Sequence, residues 1–409
     1  MASRAITLGV IVTALAGCTT AGPQTTGKQA FNDDVAFLQK HTDVVILTDQ
    51  SGRGRVAVLP KMQGRVMTST AAGPNGYSFG WINRELVAAD KPVQHMNAYG
   101  GEDRFWLGPE GGQFSVFFDK GVPFGLEHWY TPAPVDTEAW ELVSKSGRVA
   151  VLRKTMQLKN YSGTVFDLRA EREVRVLGRE AALKLLNATA DADVKMVAYE
   201  SNNKVVNLGK EPWKKETGLL SIWILGMFNP SPEITIVVPF VAGPEDQLGP
   251  VVNDTYFGKV PADRLAVKDG VLFFSGDGKY RSKIGLSPRR AKTVLGSYDA
   301  VNGVLTIVQY NKPEGVVDYV NSMWQIQDQP YRGDVVNSYN DGPTSPGGKP
   351  LGPFYELETS SPAAALAPGA SILHTHRTYH FAGSEAQLDP IAKATLGVTI
   401  AQIKAALKH

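Results

Sequence analysis

The clearest pattern in the chain runs over Thr164–Leu177. Phe166, Leu168, Ala170, Val174 and Val176 fall on one side, and Asp167, Arg169, Glu171, Glu173 and Arg175 on the other. Alternation with period two over this length predicts a half-buried strand. Arg172 breaks the pattern by putting a guanidinium on the apolar side. Shorter β-branched or aromatic runs lie at Val44–Leu47, Arg55–Leu59, Gln113–Phe118, Ser221–Met227, Ile234–Phe240, Val271–Ser275, Val304–Tyr310 and Tyr355–Thr359. The 41 Gly and 25 Pro punctuate them as turn residues do. The hexapeptide Gly-Arg-Val-Ala-Val-Leu occurs at 54–59 and 147–152, which reads as two similar strands. Helices are predicted near the two ends only: Asn32–His41, capped by Asn32 or Asp33, and Ile400–Leu407. The Pro/Gly-rich segment Asp341–Pro353 reads as a long loop over one sheet. Together these predict an all-β fold, a large antiparallel β-sandwich with a few short helices.

An apolar run of another kind opens the chain. Arg4 precedes Ala5–Leu15, and Leu15-Ala16-Gly17 leads into Cys18, the one cysteine present. A basic start, a short apolar stretch and small residues at its end predict a secretory signal. The run is too short to span a bilayer permanently. Cysteine directly after Leu-Ala-Gly resembles the bacterial lipobox, which implies acylation of Cys18 and cleavage before it. The resulting division is residues 1–17 as signal peptide, 18–30 as a lipidated flexible tether, and 31–409 as a single domain. Thr19 stands where an Asp would favour the inner membrane. By resemblance to Gram-negative lipoproteins, the chain is expected to be lipid-anchored in the cell envelope, at the outer membrane.

Composition narrows the partners. The chain is 43% hydrophobic and 20% charged, with a formal net charge of +2. It therefore has no electrostatic case for nucleic acid. With no second cysteine there is no intrachain disulfide and no cysteine metal site, and Cys18 is spoken for as the anchor. No metal and no cofactor is expected, and the sequence sets no oligomeric state. Neither a Gly-x-Ser-x-Gly elbow nor a phosphate-binding Gly-rich loop is present.

Near the C-terminus stand Tyr355-Glu356-Leu357-Glu358-Thr359, Leu366-Ala367-Pro368-Gly369, His374-Thr375 and Tyr379-His380-Phe381. This series resembles the closing segment of galactose mutarotases. Asn97-Ala98-Tyr99-Gly100-Gly101, and Thr189-Ala190-Asp191 followed by Ala198-Tyr199-Glu200-Ser201, resemble two further segments of that family in the same order. The run Gly101–Glu110 also resembles uncharacterised mutarotase-like bacterial proteins. The chain is thereby identified as a divergent member of that superfamily. The resemblance implies an antiparallel β-supersandwich with a carbohydrate cleft on one sheet. It also implies that Glu358 is the general base at the anomeric hydroxyl. The two family histidines fall on Tyr99 and Glu200, so both imidazoles are absent.

Candidate chemistry follows. Glu358 and Glu356 alternate along a strand and share a face, where like charges would raise one pKa. Glu200 or Tyr99 would supply the acid. Asn97, Asp103, Arg104, Trp106, Glu110, Arg172, Glu356 and His374 would bind the sugar, with Phe105 or Trp106 stacking on the ring. His374, His376 and His380 share a strand face, which predicts histidines lining a wet cleft or an exposed sheet face. The implied function is action on the anomeric centre of a sugar by carboxylate acid/base chemistry. Two alternatives stand beside it: a lipoprotein that binds carbohydrate without catalysis, and a glycoside-cleaving enzyme with a Glu200–Glu358 pair.

Overall fold

The computed structural model describes residues 29–344 and 347–407. Cys18, the signal segment and most of the tether lie outside the described residues. The described chain opens with a helix, Phe31–Leu38, which starts one residue before and ends three residues before the Asn32–His41 expected. Its N-cap is Ala30, which offers no side-chain bond. Strands β1 (Val45–Thr48), β2 (Arg55–Leu59) and β3 (Arg65–Thr70) form a small antiparallel sheet. Leu38 packs on Leu59 and Met67 beneath it.

The rest is built on two larger sheets. Along the chain follow β4 (Arg104–Gly108), β5 (Glu141–Lys145), β6 (Val149–Lys159), β7 (Val165–Val176), β8 (Lys195–Asn207), β9 (Ser221–Phe228) and β10 (Ile234–Pro239). Then come β11 (Leu265–Lys268), β12 (Val271–Ser275), β13 (Ser282–Leu286), β14 (Val294–Asp299), β15 (Val304–Tyr310), β16 (Val336–Asn340), β17 (Tyr355–Ser360) and β18 (Ser371–Ala382). The ten-stranded sheet has the order β11-β12-β10-β14-β15-β18-β8-β7-β6-β5, and the five-stranded sheet the order β13-β16-β17-β9-β4. All pairings are antiparallel. This is the large antiparallel sandwich the pattern predicts.

The sheets meet through one face each. Ile236, Phe274, Leu295 and Val308 from the larger sheet pack with Ile284, Leu357 and Phe228 from the smaller. Leu152, Leu168 and Tyr199 meet Phe105, Ile222 and Ile224 further along. The period-two reading of β7 holds in burial, with Phe166, Leu168, Ala170, Arg172, Val174 and Val176 all inward. Towards its other end the larger sheet is covered on the outside as well. Leu388, Ile391, Leu396 and Ile403, from the helices Glu385–Leu396 and Ile400–Lys404, pack there on Val237, Phe273 and Ile307. Each such buried aliphatic contributes about 2 kcal/mol. Thr399 caps the last helix with a reciprocal bond to Gln402.

Gln113–Phe118 corrects an expectation. It forms no strand, and its single bridge joins Phe118 to Trp129. The aromatics Phe117 and Phe118 are buried in a loop packed on Trp106, Trp129 and Trp324. Aromatic content followed burial here, not strand pairing. No helix among the described residues is long and apolar enough to cross a membrane.

Candidate functional site

The outer face of the five-stranded sheet carries the charges. Register sets Lys283 opposite Tyr339, Tyr339 opposite Glu356, Glu358 opposite Asn337 and Leu225, Arg104 opposite Leu225, and Trp106 opposite Trp223. Directly opposed residues share a face. Ile284, Leu357, Ile224 and Phe105 alternate with them and go to the core. One side of this sheet is therefore apolar, and the other holds Arg104, Trp106, Trp223, Lys283, Tyr339, Glu356 and Glu358.

Glu358 sits at the centre and is fully buried. Its Oε2 accepts from Trp223 Nε1 at 2.9 Å and from Lys283 Nζ at 3.1 Å. Its Oε1 has no hydrogen-bond partner. Lys283 Nζ also lies 4.8 Å from the Trp223 ring and 5.6 Å from that of Tyr256. Glu356 accepts from Arg104, whose guanidinium lies 5.2 Å from the Trp106 ring. Glu110 stands just beyond β4, half-buried and facing Lys283, Glu358 and Arg281. A small cavity of about 10 Å³ opens beside Lys283, lined by Gly108, Ser221, Trp223, Tyr256, Ser322 and Asp334 among others. That is room for one water.

Burial sets the protonation states. It pushes Glu110 up to about 7, against the pull of Lys283. It raises Glu356 above the carboxylate range, with Arg104 opposing and Glu358 adding to the shift. Burial also works against the charge of Lys283, but Glu358, Glu110 and Glu356 together raise its pKa, so it stays an ammonium. The Asp334 carboxyl is raised by burial although it accepts from Tyr256 and Asn253. The result is a buried polar cluster walled by aromatics, in which Glu110, Asp334, Glu356 and Glu358 gather around Lys283, with Arg104 on Glu356. Such a site can bind hydroxyls and exchange protons near neutral pH.

Several sequence candidates lie elsewhere. Glu200 is on β8 of the other sheet, paired with Arg377 at 2.6 Å. Its inward neighbours Tyr199 and Ser201 point between the sheets, so by alternation Glu200 faces away from them. The Glu200–Glu358 pair is therefore not assembled. Tyr99 packs over the Arg65 guanidinium at 5.6 Å, and burial raises its phenol. Asn97 is tied to Asp136 and Val93, a structural role. Asp103 and Arg172 form an ion pair with both side chains fully buried. Arg172 also donates to Gly64 O and to Asn203 Oδ1. These two link the sheets and do not reach the cleft. Phe105 is core.

His374, His376 and His380 correct the wet-cleft expectation, because all three are buried between the sheets. The Thr359 hydroxyl lies 2.8 Å from His374 Nε2 and 2.9 Å from His376 Nδ1. One hydroxyl can donate only once, so it accepts from at least one of the two rings. Burial lowers the two imidazoles to about 3 and about 4. No group of three or more His, Cys, Asp or Glu among the described residues is placed to hold a metal. Gly100 and Gly101 have φ of +101° and +115°. A Cβ on Gly100 would meet Trp81 O at 2.0 Å, so the close approach this loop makes is to its own protein.

The sequence reading missed Lys283, Trp223, Tyr256 and Trp324. Lys283 sits in Ser-Lys-Ile-Gly-Leu, an ordinary alternation with no motif; only its neighbours across the sheet give it a role. Glu102 was also passed over, although it accepts from Ser69, Tyr199 and His380 in the inter-sheet core.

Comparison with known proteins gives three results. The model of one family, described as "Family of unknown function (DUF6786)", matches residues 29–407. No curated protein matches. Solved structures share the fold at low identity. The Slr1438 protein from Synechocystis sp. PCC 6803 is 12% identical, covers 84% of this chain and 96% of its own, and gives a TM-score of 0.50. A putative aldose 1-epimerase from Escherichia coli K12 is 14% identical over 83% of this chain and 98% of its own, at a TM-score of 0.48. A galactose mutarotase-like protein from Lactobacillus casei ATCC 334 is 8% identical over 83% and 100%, at 0.46.

Proposed function

Because the chain belongs to the family of unknown function DUF6786, its activity has to be argued from the cleft, and we propose that it binds a carbohydrate there and acts on the anomeric centre. One observation carries this reading. Glu358 has one oxygen fixed by Lys283 and Trp223, while the other, Oε1, is buried and without a partner. A carboxylate held this way is oriented to take one proton from a hydroxyl. The position agrees with the general base that the resemblance implies for Glu358. Trp223, which lines the cavity, supplies apolar surface for the C–H face of a ring, and Trp106 backs it edge to face at 5.5 Å. The Ser221 hydroxyl lines the cavity without a partner and suits a ligand hydroxyl.

A cavity for one water does not hold a pyranose. Binding therefore requires Tyr256 and the segment 320–334, which cover Lys283, to draw back. The Cys18 lipid would hold the cleft at the envelope membrane, on a tether of about a dozen residues.

A second reading keeps the sugar and drops the chemistry. The positions of the two family imidazoles hold Tyr99 and Glu200, which are engaged with Arg65 and Arg377. That observation favours a non-catalytic carbohydrate-binding protein.

Glu358→Gln separates the two. Mono- and oligosaccharides would first be screened for a thermal shift, and anomeric exchange of the hits measured by NMR. Under the first reading exchange falls by about 10²-fold or more while affinity changes little. Exchange by Glu358→Gln at the unaltered rate removes the first reading. Binding with no exchange in the unaltered protein supports the second.

A further inference from the structure

We propose that Lys283 is the group that gives a proton to the ring oxygen of the sugar, acting as one unit with Glu358. The inference deepens the anomeric-centre reading and rests on it. Position carries the argument. Lys283 lines the small cavity of the outer face together with Trp223 and Ser221. It stands on β13, where pairing with Tyr339 on β16 fixes its backbone. Among the described residues, the one hydrogen bond of its Nζ goes to Glu358 Oε2, at 3.1 Å. An ammonium has three N–H groups, so two are left for a ligand.

Two other ionisable side chains share the cavity wall, Tyr256 and Asp334. Tyr256 donates to Asp334 at 2.7 Å, and Asn253 donates to the same oxygen. Both belong to the cover that draws back when a ligand enters, whereas Lys283 belongs to the sheet. Glu110 and Glu356 are not on the wall, and Glu356 is clamped by Arg104. Lys283 is thus the ionisable group that remains beside the ligand once the cover has moved.

Charge makes the pair suited to the step. Glu358 takes the proton of the anomeric hydroxyl on Oε1, and that hydroxyl oxygen forms a double bond to C1. The C1–ring-oxygen bond breaks, and its electron pair goes to the ring oxygen, which takes a proton from Lys283 Nζ. An ammonium is a weak acid, but an alkoxide is a stronger base than an amine, so the transfer runs downhill. The ion pair becomes a neutral acid beside a neutral amine, and no lone charge is left buried. After rotation about C1–C2 the former ring oxygen adds to the other face of C1 and returns its proton to Lys283. Glu358 then returns its own proton to the new anomeric oxygen. Nothing is consumed.

The test uses Lys283→Arg, which keeps the cation but does not release a proton, and Lys283→Gln, which keeps only a hydrogen-bond donor. Thermal midpoints show which of them fold. With D-galactose and D-glucose as probes, kcat of anomeric exchange should fall by about 10²-fold or more in either folded variant, with KM little changed in Lys283→Arg. Exchange at the parent rate by either variant overturns the donor role. In the parent, kcat above the uncatalysed rate should stay level from pH 7 to pH 9. Glu358, Glu356 and Glu110 hold Lys283 as an ammonium throughout, and ionisation of Glu110 in this range only strengthens it. A fall in kcat as pH rises through 7 would give the donor role to a raised carboxyl, Glu110 or Asp334, and overturn the assignment. No exchange of either sugar by the parent overturns the anomeric-centre reading and the donor role with it. Exchange that is intact in both parent and Lys283→Arg overturns the donor role alone.

Discussion

Lys283 Nζ lies 3.1 Å from Glu358 Oε2, an ion pair laid across three strands of one sheet with almost no solvent access. The ammonium serves more than its partner. It lowers the pKa of Glu110 and, behind Arg104, that of Glu356 as well.

Lys283→Met should therefore destabilise the fold by about 3 kcal/mol at pH 8, where it leaves buried carboxylates without their cation. The loss should shrink at pH 5, because carboxyls with raised pKa take up protons and shed the repulsion. Urea unfolding at both pH values measures it. Equal losses at the two would point to packing and away from charge.

Asp103→Asn should cost about 3–5 kcal/mol, because it leaves Arg172 buried without a counter-charge. An Asp103→Leu, Arg172→Leu double variant should recover most of that. Neither change should alter ligand affinity at constant fold, since the pair lies between the sheets. Denaturant midpoints and a sugar titration check both parts.

His374 and His376 should make the fold acid-sensitive. Their folded pKa values, about 3 and about 4, lie below the ordinary 6.5. The unfolded chain then binds protons that the folded one refuses, so stability is lost as pH falls from about 6.5 towards 4. Each ring contributes up to about 1.4 kcal/mol per pH unit in that window. The raised Glu110 and Asp341 pull the other way, losing stability as pH rises through about 7 and about 6. A His374→Met, His376→Met variant keeps those carboxyls, so its difference from the parent isolates the imidazoles. Chemical melts at pH 4.5 and 7 should show a smaller acid loss in the variant.

Cys18→Ser should leave the mature chain in the soluble fraction, whereas the parent should partition with membranes and carry a lipid adduct by intact mass. A Cys18→Ser protein still held by membranes through the same extraction would remove the anchor.

How much of this was legible in the sequence follows from what each face of a strand meets. In β7 one side meets solvent and the other the core, so the alternation stood out and showed Arg172 as the exception. In β13, β16 and β17 every residue is buried, because loops cover the charged face. Alternation there separates one buried class from another, and β13 and β16 passed unread. Glu356, Glu358, Arg104, Trp106 and Glu110 were picked out from a resemblance and from local composition, and the sheet brings them together. Glu200, Asp103, Arg172, Asn97 and His374 were picked out in the same way and lie elsewhere. Polar character shows that a side chain needs partners; only the pairing of distant strands decides whether those partners are ligand or protein.

Arg172 has one more consequence, for how the chain finds its pairing. A strand that alternates strictly is nearly indifferent to sliding by two residues, because every apolar group lands where another apolar group stood. In β7 such a slide would carry the guanidinium about 7 Å from Gly64, Asn203 and Asp103. The slipped sheet would then bury a bare charge, a penalty the correct pairing escapes. The one residue that spoils the pattern thus works as an index mark, by which a long, repetitive strand distinguishes its true alignment from its near copies.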